Sequence, residues 1–261
     1  MGTDDLFKKR RKERRQRRSE FKNPKANSFL IITEGERTEP LYFKGLQKLI
    51  EEQVGGRVDV VEIPMIDIRG QGCSTGKLIE KTEKIVKEAR VIYQNIWVVF
   101  DKDDFDDFDE AIRIGESKGY SIAWSNQSFE YWLYLHFAYS DTALHRDDWN
   151  EKLNEIFQEY QLGDGVYRKN YENIFELVDS FGGSDTAIKH AKRRMAQYKR
   201  DEQKPSEFEP GTTVYELVEN LNLISSMNRK FFLKRMRWSI TTIKYTYLYS
   251  SCCFVNIYYM L

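Results

Sequence analysis

The sequence predicts an α/β protein: an open, mostly parallel sheet flanked by helices, with a helical C-terminal part. Three observations predict it. Short continuous runs of apolar and β-branched residues recur from residue 29 to residue 124, amphipathic helical stretches alternate with them, and the pattern beyond is almost wholly helical. Such alternation implies parallel strands joined by helical crossovers. A chain of 261 residues can bury a core without staples, and an aromatic share of 14% argues against wholesale disorder.

Taken in order, residues 1–27 read as a basic flexible arm. Lys8 to Arg18 holds nine basic residues against one glutamate, so a chain with no net charge has an acidic body and a basic end. Polyanion contacts are then local or metal-mediated rather than spread over the surface. Phe29 to Thr33 (FLIIT) has the pattern of a strand buried on both faces, and it ends abruptly in Glu34-Gly35. Pro40 to Gln53 spaces Leu41, Tyr42, Leu46, Leu49 and Ile50 at helical intervals, and Val58 to Ile63 (VDVVEI) reads as a second strand. Thr75 is placed as the cap of a helix bearing Leu78, Thr82, Ile85, Val86 and Ala89 on one face.

Ile96 to Phe100 (IWVVF) is the third buried run and leads straight into Asp101-Lys102-Asp103-Asp104. A helix from Phe108 closes at Gly119, and Tyr120 to Trp124 is the fourth strand. Helices follow over Phe129 to Phe137, Trp149 to Tyr160, Tyr171 to Ser180, Thr186 to Tyr198 and Val214 to Leu223. The divisions are therefore 1–27 for the arm, 28–138 for the α/β domain, 139–225 for the helical part and 226–261 for an atypical tail, basic and then hydrophobic.

That tail ends in seventeen uncharged residues from Tyr245, short of the roughly 20 that a membrane span needs and broken by Ser250, Ser251 and Asn256. Membrane anchoring is not expected. Three cysteines, two of them adjacent, give no disulfide framework. With no apolar stretch after the basic run, a cytoplasmic location is expected.

Ligands of a parallel α/β sheet collect at the carboxyl ends of its strands. Two of those ends carry acids here, Glu34 after the first strand and Asp101 with Asp103 after the third. Two residues apart on extended backbone, Asp101 and Asp103 face the same way while Lys102 turns aside. Oxygen-only ligands suit Mg2+ or Mn2+, which bind through a few carboxylates together with water and substrate phosphates. Crowded carboxylates are costly unless a cation neutralises them, and Gly35 lets the backbone turn closely around such an ion. The contrary reading takes these acids as solvated loop residues and helix caps.

Ile31 to Phe43 (IITEGERTEPLYF), Val99 to Asp104 (VFDKDD) and Ser125 to Phe137 (SNQSFEYWLYLHF), in that order, resemble the RloB family, and the strand–Glu–Gly–helix–strand–Asp-x-Asp arrangement resembles the Toprim fold. The likeness spans about residues 28 to 225. It implies a Toprim-like sheet and places Glu34, Asp101 and Asp103 at the metal positions, with Asn126, Glu130 and His136 in the third motif. It also implies a role beside restriction-modification or abortive-infection loci in bacteria. Gln127 stands where the family has proline, and Tyr215 where a histidine is common.

Glu130 lies among Phe129, Tyr131 and Trp132, where a carboxylate needs a partner or a metal. His136 is either a proton shuttle or a hydrogen-bonded core histidine. Arg69 to Lys77 lacks the spacing of a Walker loop, but its glycines can cover a site and Lys77 can meet a phosphate. Lys192, Arg193 and Arg194 form a basic strip that reads as either a nucleic-acid contact or a solvated face.

The expectation is a Mg2+- or Mn2+-dependent nuclease of bacterial phage defence, with catalytic candidates Glu34, Asp101, Asp103, Glu130 and His136. Its partner is DNA or RNA. The competing expectation is a non-catalytic module that binds nucleic acid or docks on an ATPase from the same locus.

Overall fold

The computed structural model describes residues 23–24, 28–54, 65–102 and 106–223. In chain order the strands are β1 (Asn23–Pro24), β2 (Phe29–Thr33), β3 (Ile66–Gly70), β4 (Val91–Ile92), β5 (Asn95–Asp101), β6 (Ser121–Asn126) and β7 (Gly211–Thr212). The helices are α1 (Thr38–Val54), α2 (Thr75–Glu88), α3 (Phe108–Ser117), α4 (Phe129–Tyr134), α5 (Arg146–Glu159) and α6 (Ile174–Met195), followed by α7 over residues 214–223.

Five strands form the main sheet in the order β3-β2-β5-β6-β7. The first four run parallel, and β7 closes the β6 edge antiparallel. β1 and β4 make a separate two-residue parallel pair.

Side chains alternate across a strand, and FLIIT divides accordingly. Phe29 and Ile31 join Trp97, Val99 and Ala123 beneath α1, α4, α5, α6 and α7, in a cluster that includes Tyr42, Trp132, Trp149, Phe157 and Leu217. Leu30 and Ile32 join Val98, Phe100, Ile122 and Trp124 beneath α2 and α3, with Leu78, Phe108 and Ile112. Both faces are covered, as continuously apolar strands require. Residues assigned by sequence to the helical part, such as Trp149 and Val178, share one apolar cluster with the sheet.

Several sequence expectations shift. The Val58 to Ile63 strand falls within residues 55–64, outside the described residues. The strand beside β2 is Ile66–Gly70, an edge strand whose charged residues Asp67 and Arg69 pair at 2.7 Å and mask its apolar signal. Thr75 is the first residue of α2 rather than its cap; Ser74 holds the cap position without a side-chain hydrogen bond. The two helices expected across 171–198 are both present, within the helical run Ile174–Met195 and parted by a kink at Gly183, whose φ of 71° suits glycine. Ser184 restarts it, its N–H and hydroxyl both donating to Asp179 Oδ1 at 2.7 Å.

No helix among the described residues is long and apolar enough to cross a membrane. The arm through Lys22 and the 226–261 tail lie outside the described residues, and so does Asp103.

Candidate functional site

The carboxyl ends of β2 and β5 are neighbours, because those strands pair in parallel and in register from Phe29 with Asn95 to Thr33 with Val99. Glu34 extends the ladder on both sides: its N–H donates to the Val99 carbonyl at 2.9 Å, and its carbonyl accepts from Gly72 N–H at 2.8 Å. Its backbone is thus fixed between β3 and β5. The carboxylate is fixed too, since Oε1 accepts from the Thr75 hydroxyl at 3.1 Å and Oε2 from the Asp101 N–H at 3.3 Å. The Thr75 hydroxyl, expected to cap a helix, orients this acid instead.

Asp101 is the last residue of β5. Its Oδ2 accepts from Phe129 N–H at 3.0 Å. The residue keeps some exposure, but its Oδ1 is shielded from solvent and accepts no hydrogen bond among the described residues. Burial, then the charges of Glu39 and Glu130, push the Asp101 carboxyl well above its ordinary range; the Phe129 N–H opposes this, and Glu34 adds to it.

Glu39 stands in the first turn of α1, where an acid suits the helix dipole. It is buried, and its Oε1 accepts from Gly35 N–H at 3.2 Å. Burial raises its pKa, with Glu130 pushing the same way and Lys169 opposing. The Glu39 carboxylate occupies the space that a Cβ at position 35 would take, so a side chain there would displace it. Glu130, only 2% exposed, receives the Tyr167 hydroxyl at 3.0 Å and the Lys169 ammonium at 3.1 Å on Oε1.

Asp101, Glu39, Glu130 and Lys169 line a cavity of about 450 Å3 together with Gly35, Arg37, Gly72 and Phe129. Its chemistry fits a hard divalent cation: the donors are carboxylates, they are desolvated against one another, and one Asp101 oxygen lies buried with no partner among the described residues. Among the described residues no group of three or more His, Cys, Asp or Glu side chains is placed to hold a metal ion. The fit is therefore to an ion held by a few protein oxygens, with water and phosphate supplying the rest.

The other sequence candidates lie apart from this cavity or are engaged elsewhere. His136 has no solvent exposure and sits in the aromatic core, one ring nitrogen 3.2 Å from the Tyr42 hydroxyl and the other 3.2 Å from the Trp132 carbonyl. Burial pushes its pKa down to about 4, against the pull of the Trp132 carbonyl and of Asp179. Asn126 donates to the carbonyls of Pro205, Ser206 and Phe208, and Gln127 donates to Glu209 at 2.9 Å.

Lys77 is exposed on α2. Lys192 pairs with Glu219 at 2.6 Å, and Arg193 lies over the Tyr139 ring at 4.0 Å. Arg194 ties down the carbonyls of Glu209 and Pro210 at 3.0 and 2.9 Å. Arg69 and Gly70 belong to β3, so only the following turn, with Gly72, reaches the cavity.

Sequence reasoning missed Glu39 and Lys169, which line the cavity, and Tyr167, which holds Glu130. Glu39 stands within the IITEGERTEPLYF motif, but a helix expected to start at Pro40 left it outside that helix and without a role, whereas the helix begins at Thr38. Tyr167 and Lys169 come from the connection between α5 and α6, and carry no motif of their own.

The family model described as RloB-like protein matches residues 29–221. No curated protein and no solved structure matches the chain.

Proposed function

The chain belongs to the RloB-like protein family, and from that premise and its acidic cavity we propose a Mg2+- or Mn2+-dependent, Toprim-type nuclease that cleaves phosphodiester bonds in bacterial phage defence. The observation that carries the reading is the Asp101 carboxylate. It stands at the end of a buried strand, desolvated and crowded by Glu39 and Glu130, with one oxygen unpartnered among the described residues beside an open cavity. A group so placed raises the free energy of the empty protein and gains when a cation arrives.

A bound divalent ion at these oxygens would neutralise phosphate charge and polarise water. Asp101 would hold it, with Glu39 lining the same cavity and Asp103 implied by the sequence motif. Glu34 is kept as an oriented carboxylate by the Thr75 hydroxyl and the Asp101 amide. That supports its use either as a further ligand or as the base that takes a proton from water. Gly72 and Arg37 also line the cavity, and an arginine there suits a phosphate. His136, sealed in the core, has no part in this proton transfer.

A second reading, a module that binds nucleic acid or docks on an ATPase without cutting, is favoured by Glu130. Its charge is already met by Lys169 and Tyr167, a closed network that needs no metal. Incubation with plasmid, single-stranded DNA and tRNA in Mg2+, Mn2+ and EDTA separates the two. Metal-dependent scission lost in Glu34→Gln and Asp101→Asn supports the nuclease. Intact substrates under every condition, with stable partner binding, would sink it.

A further inference from the structure

Lys169 lines the same cavity as Glu39, Asp101 and Glu130. Its ammonium lies 3.1 Å from Glu130 Oε1, with the lysine side chain 57% exposed and the glutamate side chain 3% exposed. The two ends of that pair are therefore unlike. Glu130 cannot leave, being buried and also held by the Tyr167 hydroxyl. The ammonium is a point charge on a flexible four-carbon stem that is largely in solvent.

The backbone that carries it is anchored. The Lys169 carbonyl accepts from the Thr38 hydroxyl at 2.9 Å, next to Glu39. Two residues earlier, Tyr167 N–H donates to Asn154 Oδ1 at 3.1 Å, and the Tyr167 ring is buried against Phe157. Only the stem is free to swing.

Three desolvated carboxylates around one cavity repel one another, and a nearby cation lowers that cost. Lys169 acts in that sense on Glu39. A divalent ion in the cavity would do the same more strongly and would repel the ammonium, and the two cations cannot both sit close to these acids without cost.

We propose that Lys169 is a resident counter-cation of the acid cluster, which a divalent ion displaces from Glu130 on entering the cavity. This rests on the metal reading above. Lys169 is then a positioning residue that holds the metal-free cluster together and sets the threshold for metal entry.

The test is Mn2+ binding by titration calorimetry at pH 8, with melting in EDTA and in saturating Mn2+. The full chain is compared with Lys169→Gln, Lys169→Met and Lys169→Arg. Expected for Gln and Met is Mn2+ affinity raised on the order of fivefold or more, the size of an ordinary coupling between sites. Both should melt below the parent in EDTA and level with it once saturated, and Arg should restore parental affinity. Unchanged or weakened Mn2+ affinity in Gln and Met, with normal binding by the parent, overturns the exchange and leaves the metal reading standing. If the parent itself binds no Mn2+, both fall.

Discussion

Two desolvated titratable groups stand on the same side of the sheet and have been treated oppositely by the fold. Around His136 everything is closed: both ring nitrogens have partners at 3.2 Å, and the rings of Tyr42 and Trp132 pack edge-on at 5.7 and 5.2 Å. Around Asp101 the site is left open, with one oxygen lacking a partner among the described residues and like charges on two sides. Burial alone therefore does not mark function. A satisfied buried polar group specifies the core, whereas an unsatisfied one beside a cavity stores free energy that a ligand can release.

The sharpest way to break this contrast is to neutralise Asp101. Asp101→Asn should reduce metal-dependent cleavage more than about 100-fold, beyond the 10- to 100-fold typical of losing a group that merely supports a metal ligand. In EDTA it should melt at or above the parent temperature, because a crowded charge has been removed from a dry site. Cleavage measured beside differential scanning calorimetry decides it; lower stability with retained activity would make Asp101 a structural acid like any other.

The pH profile of stability should expose the two regions with opposite signs. The His136 pKa is near 4 when folded, against its ordinary 6.5. Between those values the unfolded chain takes up a proton that the folded one refuses, so this contribution falls as pH drops from about 6.5 to 4. The loss is on the order of 3 kcal/mol. Asp101 and Glu39 are raised, so the folded protein keeps protons that the unfolded chain releases, and their contribution falls as pH rises above the ordinary carboxylate range. Urea midpoints in EDTA across pH 4 to 8 should show His136→Gln flattening the acid limb and Asp101→Asn flattening the other. A His136→Gln profile parallel to the parent would contradict the closed-core description.

How much of this contrast the sequence could show depends on the kind of signal. FLIIT and IWVVF announced central strands because burial on both faces leaves nothing but apolar residues, and acids at their ends were conspicuous for the same reason. The edge strand Ile66–Gly70 was not legible, since its partly exposed positions carry Asp67 and Arg69. Glu130 and His136 looked alike as polar letters in an aromatic helix. What separates them is Tyr167 and Lys169 on one side and Tyr42 on the other, residues 37 to 94 positions away. No local pattern encodes such partners. Thr75 was misread for a related reason, because a threonine at a helix start offers a cap by default and its partner Glu34 lies 41 positions upstream.

That threonine supplies a subtler probe. Thr75→Val keeps the shape of a nearly buried side chain but removes the hydroxyl that holds Glu34 Oε1. Cleavage should fall about tenfold, as for other groups that orient a catalytic carboxylate, while stability shifts by roughly 1 kcal/mol. A fall in kcat without a matching change in Mn2+ affinity would assign Glu34 to proton transfer. A parallel fall in both would assign it to the metal.

The smallest effect is expected where sequence suggested a nucleic-acid contact. Lys192 is half-exposed and pairs with an accessible Glu219, and such pairs contribute roughly 0 to 1 kcal/mol. Lys192→Ala should therefore leave the melting temperature within about a degree of the parent. If the α6 strip tracks phosphates, retention of a single-stranded oligonucleotide should weaken and its salt dependence should become shallower by close to one ion. Arg194→Ala should behave differently, because its guanidinium holds the carbonyls of Glu209 and Pro210 and stacks on Phe208 at 4.4 Å. Loss of stability there with unchanged salt dependence would confine any phosphate contact to the outer face of the helix, and equal behaviour of the two variants would show that the strip works as a single charged surface.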